Sequence, residues 1–503
     1  MRAWSKLWNI FCCYSRKITL RNKTSWLFIM VGLSGCAVGP DYRQPAPAIP
    51  DHWQAAQREI DEWPSPVALK PIDPETLRNW WKNFGDAQLD SLMDRALSDN
   101  LDVKIAVARI DQARADRRAI RAELFPSVDA AAGAQRQDNP FPGLAPDIKF
   151  NLFELGFDAL WEIDLFGRLR RRLEAASADL AAVKEQYNQA LVTLTADLAR
   201  SYIEYRSFQN QLRITRANLA AQQTTQELTE TLFKEGVGTR YDAVRARAQT
   251  ENTRAQIPGL EGSLIAALRQ LEVLVGQQPG TLVIELDEPG AVPMAPGRAI
   301  LVSPAETLRH RPDLRIAERR LAAATAMQGA AIAELFPRLS LSAFLGLRNT
   351  ELDALFRSAA FSYGASASLL QPLINFGRIR AGIDLADARQ QEAYLAFEKT
   401  VLEALQEMET AMTRYLKEEA RRQALARAVT DLREAVRLSQ LRFQVGTISF
   451  LDVLDTQRTL YAAEIELARS EEKASIDLIA VYKALGGGAD VVVPQAETTS
   501  EGL

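Results

Sequence analysis

The chain has 503 residues, with 60 lysines and arginines against 64 aspartates and glutamates and a formal net charge of −4. That balance speaks against a nucleic-acid partner, which needs a basic face. Three cysteines, two of them adjacent at Cys12 and Cys13, give no disulfide framework, and two distant histidines, His52 and His310, make no metal or catalytic cluster.

The first 35 residues carry six basic side chains and no acidic one. They contain an apolar run, Trp26 to Leu33, too short to cross a bilayer as a helix. This is the layout of a secretory signal peptide. Leu33-Ser34-Gly35-Cys36 matches the lipobox of bacterial lipoproteins, which implies cleavage before Cys36 and a covalent lipid on its thiol. Ala37 in the next position favours the outer membrane. Loss of residues 1–35 removes Cys12 and Cys13 and leaves 54 basic against 64 acidic residues, a net of −10. Residues 36–76 are rich in proline and read as an extended, lipid-anchored segment.

The rest of the chain repeats itself. "AELFP" stands at Ala122–Pro126 and at Ala333–Pro337, and "FGR" at Phe166–Arg168 and Phe376–Arg378. A longer pattern links Phe233, Gly236, Thr239 and Asp242 to Phe443, Gly446, Ser449 and Asp452. All three pairs are 210 or 211 positions apart, in the same order, which marks a duplicated unit. The boundaries fall at 77–275 for the first repeat, 276–304 for a Gly- and Pro-rich link with "TLVIEL" as a short strand, and 305–486 for the second. Residues 487–503 read as a disordered tail.

Each repeat opens on a helix that ends at its Phe-Pro; in the second, Arg311-Pro312-Asp313 reads as the helix start, with Pro at the first helical position. A β region follows, then a very long helix, a turn and a returning helix. Arg168 to Glu235 and Ile383 to Val445 contain neither Gly nor Pro. At about 1.5 Å per residue the first would reach on the order of 100 Å. Leu191, Leu194, Leu198, Tyr202, Tyr205, Phe208 and Leu212 recur three or four apart, as do Val401, Leu405, Met408, Met412 and Tyr415. That is a coiled-coil seam.

The β regions alternate. In 153–163, Phe153, Leu155, Phe157, Ala159, Trp161 and Ile163 share one face, with Glu154, Asp158 and Glu162 on the other. Segments 338–347 and 361–369 alternate in the same way, and 127–135 more weakly. Each has about the length of a membrane-spanning strand. The small and acidic faces suit a water-filled lumen, where the three acids would favour cations. Four strands cannot close a barrel and open edges are not tolerated in lipid, so several copies must join; a dimer would give eight strands and a trimer twelve.

The two helix turns have a simple chemistry. Gly236 and Gly446 suit the positive φ of a tight helix-to-helix turn. Thr239 and Ser449 suit the N-cap of the returning helix, with Asp242 and Asp452 three residues on at the capping-box position.

"CAVGPDY" (Cys36–Tyr42), "WWKNFGDAQLDSL" (Trp80–Leu92), "RPDLRIAERRL" (Arg311–Leu321) and the two AELFP segments resemble landmarks of the TolC-like outer-membrane efflux proteins, in the lipoprotein branch that includes OprM and NodT. The resemblance covers essentially the whole mature chain. It implies a mainly α fold with a membrane β-barrel: a homotrimer with a twelve-stranded barrel in outer-membrane lipid and a twelve-helix periplasmic tunnel. It implies passive export rather than catalysis and no cofactor beyond the lipid on Cys36. An inner-membrane pump of the RND class would supply the energy through a periplasmic adaptor. The turns Gly236, Val237, Gly238, Thr239 and Val445, Gly446, Thr447, Ser449 would be the tips that the adaptor grips. Leu451 and Asp455, four apart on one helix face, would narrow the closed channel. An ATP-driven exporter, or a lipid-anchored coiled-coil scaffold, are the competing readings. Seven methionines and no histidine cluster argue against a dedicated copper or silver route.

Overall fold

The computed structural model describes residues 37–54, 74–139, 148–295 and 303–489. Residues 1–36, 55–73, 140–147, 296–302 and 490–503 lie outside that set, so the lipid attachment at Cys36 does too. In chain order the helices are α1 (Pro74–Arg78), α2 (Ala87–Asp99), α3 (Leu101–Ala122), α4 (Arg168–Lys234), α5 (Arg240–Arg254), α6 (Ile257–Leu274), α7 (Val283–Leu286), α8 (Pro304–His310), α9 (Pro312–Ala333), α10 (Arg378–Gln444) and α11 (Phe450–Ala484). Strands β1 (Ser127–Asn139) and β2 (Ile148–Ile163) lie between α3 and α4; β3 (Arg338–Asn349) and β4 (Phe361–Leu370) lie between α9 and α10. Helix, two strands, long helix and return therefore occur twice.

Packing divides the described residues into two units. The larger takes in Arg43–Arg117, Ala176–Ala324 and the chain from Arg389 onward. Its core is built from the seams. Leu191, Leu198 and Tyr202 are fully buried, and Met408, Met412 and Tyr415 join them in one cluster. Each such side chain contributes about 1.5–3 kcal/mol by leaving water. The Trp80-Trp81 pair locks the start of the first repeat to the end of the second: Trp80 stacks on Tyr482 of α11 with ring centroids 5.0 Å apart, and Trp81 and Phe84 meet Trp80 edge-on. Asp86 caps α2 by accepting from the N–H groups of Gln88 and Leu89, and the Tyr202 hydroxyl donates to the same carboxylate at 3.0 Å.

The second unit consists of residues 37–42, Arg118–Ala175 and Thr325–Ala388 among those described. It holds one four-stranded sheet in the order β1-β2-β3-β4, every neighbouring pair antiparallel. Sequence order and sheet order coincide, so the two repeats meet at β2–β3 and leave β1 and β4 as edges within the chain.

Three expectations are corrected. "TLVIEL" is not a strand; Val283–Leu286 is a single helical turn. Leu282 and Leu286, four apart, are both buried, while the buried Glu272 carboxylate accepts from the backbone N–H of Gly280 and Leu282. Those backbone donors are satisfied by a side chain, not by a neighbouring strand. The returning helix of the first repeat is broken into α5 and α6 at Ala255–Gln256. Pro258 has no N–H to continue the ladder; α11, with no proline, runs unbroken for 35 residues. The chain also stays packed beyond 486: the Gly487 N–H donates to Tyr482 O, the Gly488 N–H to Leu77 O, and Ala489 is buried.

Candidate functional site

The strand registers decide which residues share a face. Phe157 lies opposite Ala130 on one side and Leu345 on the other, and Leu345 lies opposite Tyr363. Likewise Trp161 faces Leu341, which faces Ala367. All four apolar sets therefore fall on one side of the sheet. That side is exposed in the single chain: Val128, Phe157, Leu345, Phe361, Tyr363 and Leu369 all lie open. An apolar sheet face of this extent facing water would be an aggregation hazard; facing lipid it is the expected surface.

The other face carries mainly serine, glycine and charge, with Leu160 and Phe344 among them. Ser342 and Ser366 are hydrogen-bonded across β3–β4 at 2.7 Å. Of the three acids read as lumen-facing, Glu154 pairs with Arg348 on β3 at 2.9 Å and Glu162 pairs with Arg168 at 2.8 Å. Arg348 also lies over the Phe344 ring, 3.9 Å from its centroid. Asp158 is exposed, directly opposite Asp129 on β1. Arg348 lies just past Leu347, where the alternating stretch 338–347 ends, and its partner Glu154 stands far away in sequence, so the pairing leaves no sign there.

At the helix turns, α4 ends on Gly236 (φ +70°) and α10 on Gly446 (φ +75°). The N–H groups of Val237 and Gly238 both donate to Leu232 O, at 3.0 and 2.8 Å; the N–H and hydroxyl of Thr447 both donate to Arg442 O, at 2.9 Å. Thr239 caps α5, and Ser449 caps α11 through a full capping box with Asp452. Val237 and Val445 stand exposed at the apex, 80% and 66% accessible. Two residues into α11, Leu451 is half-buried; Asp455 is exposed and ion-paired to Arg458 at 2.8 Å.

A strap begins at Ala37. The Val38 N–H donates to Phe166 O at 3.1 Å. Ala37 lies against Gly167, where any side-chain carbon would come within 2.7 Å of it. The buried Arg171 guanidinium donates to Val38 O and Gly39 O and pairs with Asp41 at 2.7 Å. Arg171 has Ala381 as its counterpart 210 residues on, so the second repeat cannot hold a strap in this way. That break in the repeat was the only sign of the seat visible in the sequence.

Elsewhere, Arg311 is buried and bonds to Asp313, Glu407 and Ala484 O at 2.7–2.8 Å. An open cavity of about 830 Å³ lies beside the α5–α6 break, lined by Phe208, Gln256, Leu260, Ile465 and Glu472. Among the described residues no group of His, Cys, Asp and Glu could hold a metal ion, and no helix is long and apolar enough to cross a membrane.

A duplicated chain with paired strands, one lipid-suited sheet face and helical hairpins capped at both turns belongs to the class of outer-membrane channel components. The particular family is the outer membrane efflux proteins, to which the chain belongs: the model described as "Outer membrane efflux protein" matches residues 92–277 and 304–487, one match per repeat. Nodulation protein T of Rhizobium leguminosarum bv. trifolii is 30% identical over 468 residues, covering 92% of this chain and 97% of that protein. The solvent efflux pump outer membrane protein SrpC of Pseudomonas putida is 30% identical over 481 residues, covering 94% and 99%. The solved structure of the outer-membrane channel OprN superposes with a TM-score of 0.83 at 35% identity, over 90% of this chain and 99% of that one. The chain is thus an efflux component of the outer membrane.

Proposed function

We propose that three copies of the chain close a twelve-stranded barrel in the outer membrane, continued by a twelve-helix periplasmic tunnel, as a passive exit duct of a tripartite efflux pump. An inner-membrane RND pump supplies the energy, a periplasmic adaptor grips the turns at Gly236–Thr239 and Val445–Ser449, and no reaction is catalysed. One observation carries this reading: the sheet has a continuous apolar face suited to lipid, yet among the described residues its edges β1 and β4 are unpaired, and lipid does not tolerate open edges. A scaffold has no use for such a surface. The likeness to SrpC, named for solvent efflux, favours small molecules as cargo.

Covalent lipid on Cys36 fits the strap, which fixes Ala37 against the β2–α4 junction. Intact-mass measurement of the mature protein tests it: the expected mass includes acyl chains, and Cys36→Ala weakens membrane targeting. An unacylated native protein would refute the assignment. Leu451 and Asp455 narrow the channel, their side chains repeated around the axis by symmetry, so Leu451→Ala with Asp455→Ala enlarges single-channel conductance.

Cross-linking in intact cells, followed by purification and identification of what comes with the chain, tests the whole reading. Recovery of an adaptor with a proton-driven RND pump is the expected result. An ATP-driven pump would reassign the duct to another exporter class, and recovery of neither, from cells that express such pumps, would favour the scaffold.

A further inference from the structure

Within one chain the two repeats meet at a ring pair. Phe166, of the first FGR, stacks on Phe336, of the second LFP, with centroids 4.8 Å apart and planes 22° apart. The same joint continues into the sheet, where Ile163 of β2 lies opposite Leu339 of β3.

The repeat supplies a second copy of each half of this joint. Phe376 corresponds to Phe166, 210 residues on, and Phe125 to Phe336, 211 residues back. The structure shows the same equivalence in a contact internal to each repeat. Trp161 Nε1 donates to Leu124 O at 2.9 Å, and at the positions 210 and 211 residues on, Gln371 Nε2 donates to Leu335 O at 3.1 Å.

These second halves are bare. Phe376 is 100% exposed and Phe125 59%, whereas Phe166 and Phe336 are partly buried. Leu373 and Ile374 beside Phe376 are open as well. On the helix side, Ala330 and Ala333 of α9 are buried, while their counterparts Ala119 and Ala122 of α3 are exposed. Phe376 is also the one non-glycine residue with positive φ (+48°) among the described residues. A bulky side chain holds such a backbone only where its surroundings fix it, and among the described residues nothing lies within 4 Å of a side-chain carbon placed on the adjoining Gly377.

We infer that the β4–α10 junction of one copy docks on the α3–β1 turn of the next, with Phe376 against Phe125 of that second copy. This rests on the multi-copy barrel proposed above and names its contact. Strand direction permits it: β1 runs parallel to β3 in the sheet, so β4 meets a following β1 antiparallel. Register permits it too. Carrying the Ile163–Leu339 pairing over puts Leu373 opposite Val128 of the second copy, Leu369 opposite Ala132 and Ala367 opposite Ala134. Each pairs apolar face with apolar face; a shift of one residue would put every pair on opposite faces. The contact is head-to-tail, so it repeats around a ring until the barrel closes.

The test is cysteine cross-linking in membranes. Cys36 is the only cysteine after the leader. The double variant Phe125→Cys with Phe376→Cys, treated with a mild oxidant, should give dimers and higher species on denaturing gels, reversed by reductant. Either single variant should run as one chain. Val128→Cys with Leu373→Cys is a second pair that spares both rings and should give the same ladder. Native mass spectrometry of the detergent-purified protein separates two kinds of failure. Assembled copies with no ladder from either pair would overturn this contact and leave the multi-copy barrel standing; Phe376 would then face lipid. A ladder from the Phe376→Cys single variant would also overturn it, since like would be meeting like. A single-chain mass would overturn the barrel and the contact with it.

Discussion

Arg311 shows how a residue can look ordinary in sequence and hold a joint in the structure. Its helix-start context was legible from Arg311-Pro312-Asp313; its buried position was not, because Glu407 and Ala484 lie 96 and 173 residues away. Only the guanidinium is buried; Asp313 and Glu407 are partly open to water, so its removal costs about 1–3 kcal/mol, chiefly for the stranded Ala484 carbonyl and the lost charge-assisted bonds. Arg311→Ala should therefore lower the thermal midpoint of the purified protein sharply, and Arg311→Lys should recover only part, since an ammonium cannot reproduce the planar fork. Equal midpoints for wild type and Arg311→Ala would contradict the role. Arg171 plays the same part for the strap. Arg171→Ala should make limited proteolysis before Tyr42 faster, roughly tenfold, on the scale of a lost charge-assisted hydrogen bond. Glu418 gives a pH-dependent counterpart. Burial opposes its ionisation, but Lys473, Ser470 and Arg421 outweigh that and hold its carboxyl below the ordinary value of 4.5. A depressed folded pKa gives stability that is present above the unfolded value and lost as pH falls through the folded one. Glu418→Gln should therefore cost about 1–2 kcal/mol near neutral pH, with the difference from wild type closing below about pH 4.5. A difference that stays constant down to pH 3.5 would rule this out. Burial raises the carboxyls of Glu471 and Glu472, so their contributions run the opposite way with pH.

Among the elements, periodicity revealed most where one side of an element meets a uniform environment. The long helices could be read because breakers are absent over most of their length and their seams recur without interruption; α10 adds only five residues, through Gly382, to the stretch free of Gly and Pro. The strands could be read because one face is apolar along its whole length. "TLVIEL" could not: six residues are too few to separate alternation from a helical turn whose two leucines are buried four apart. The α5–α6 break was written in Ile257-Pro258-Gly259 but hidden behind a stronger repeat signal. At the turns, cap chemistry was legible, whereas the tip and gate roles came only from family resemblance. Positive φ at Gly236 and Gly446 makes Ala there unfavourable by about 1–2 kcal/mol. Gly236→Ala and Gly446→Ala should therefore loosen the turns, seen as faster amide exchange at Glu235–Thr239 and Val445–Ser449, while the distant Trp80–Tyr482 core keeps its protection. Unchanged exchange at both turns would argue that the backbone there does not need glycine.

The whole molecule follows from the duplication. Two repeats yield four strands, a number too small to close and an apolar face too large to leave in water. In the contact proposed above, the sheet's order, β1-β2-β3-β4, would turn that shortage into a rule for assembly, the joint inside one chain serving as the pattern for the joint between chains. Sequence could supply the strand count and the need for partners, but not the stacked rings or the bare ones. The central claim, that the chain forms a conducting duct through the outer membrane, is tested most directly by single-channel recording in planar bilayers. Purified wild-type protein should insert as discrete channels, and the Leu451→Ala, Asp455→Ala variant should give a larger unitary conductance at the same ionic strength. Folded, assembled protein that never conducts, in either form, would contradict it.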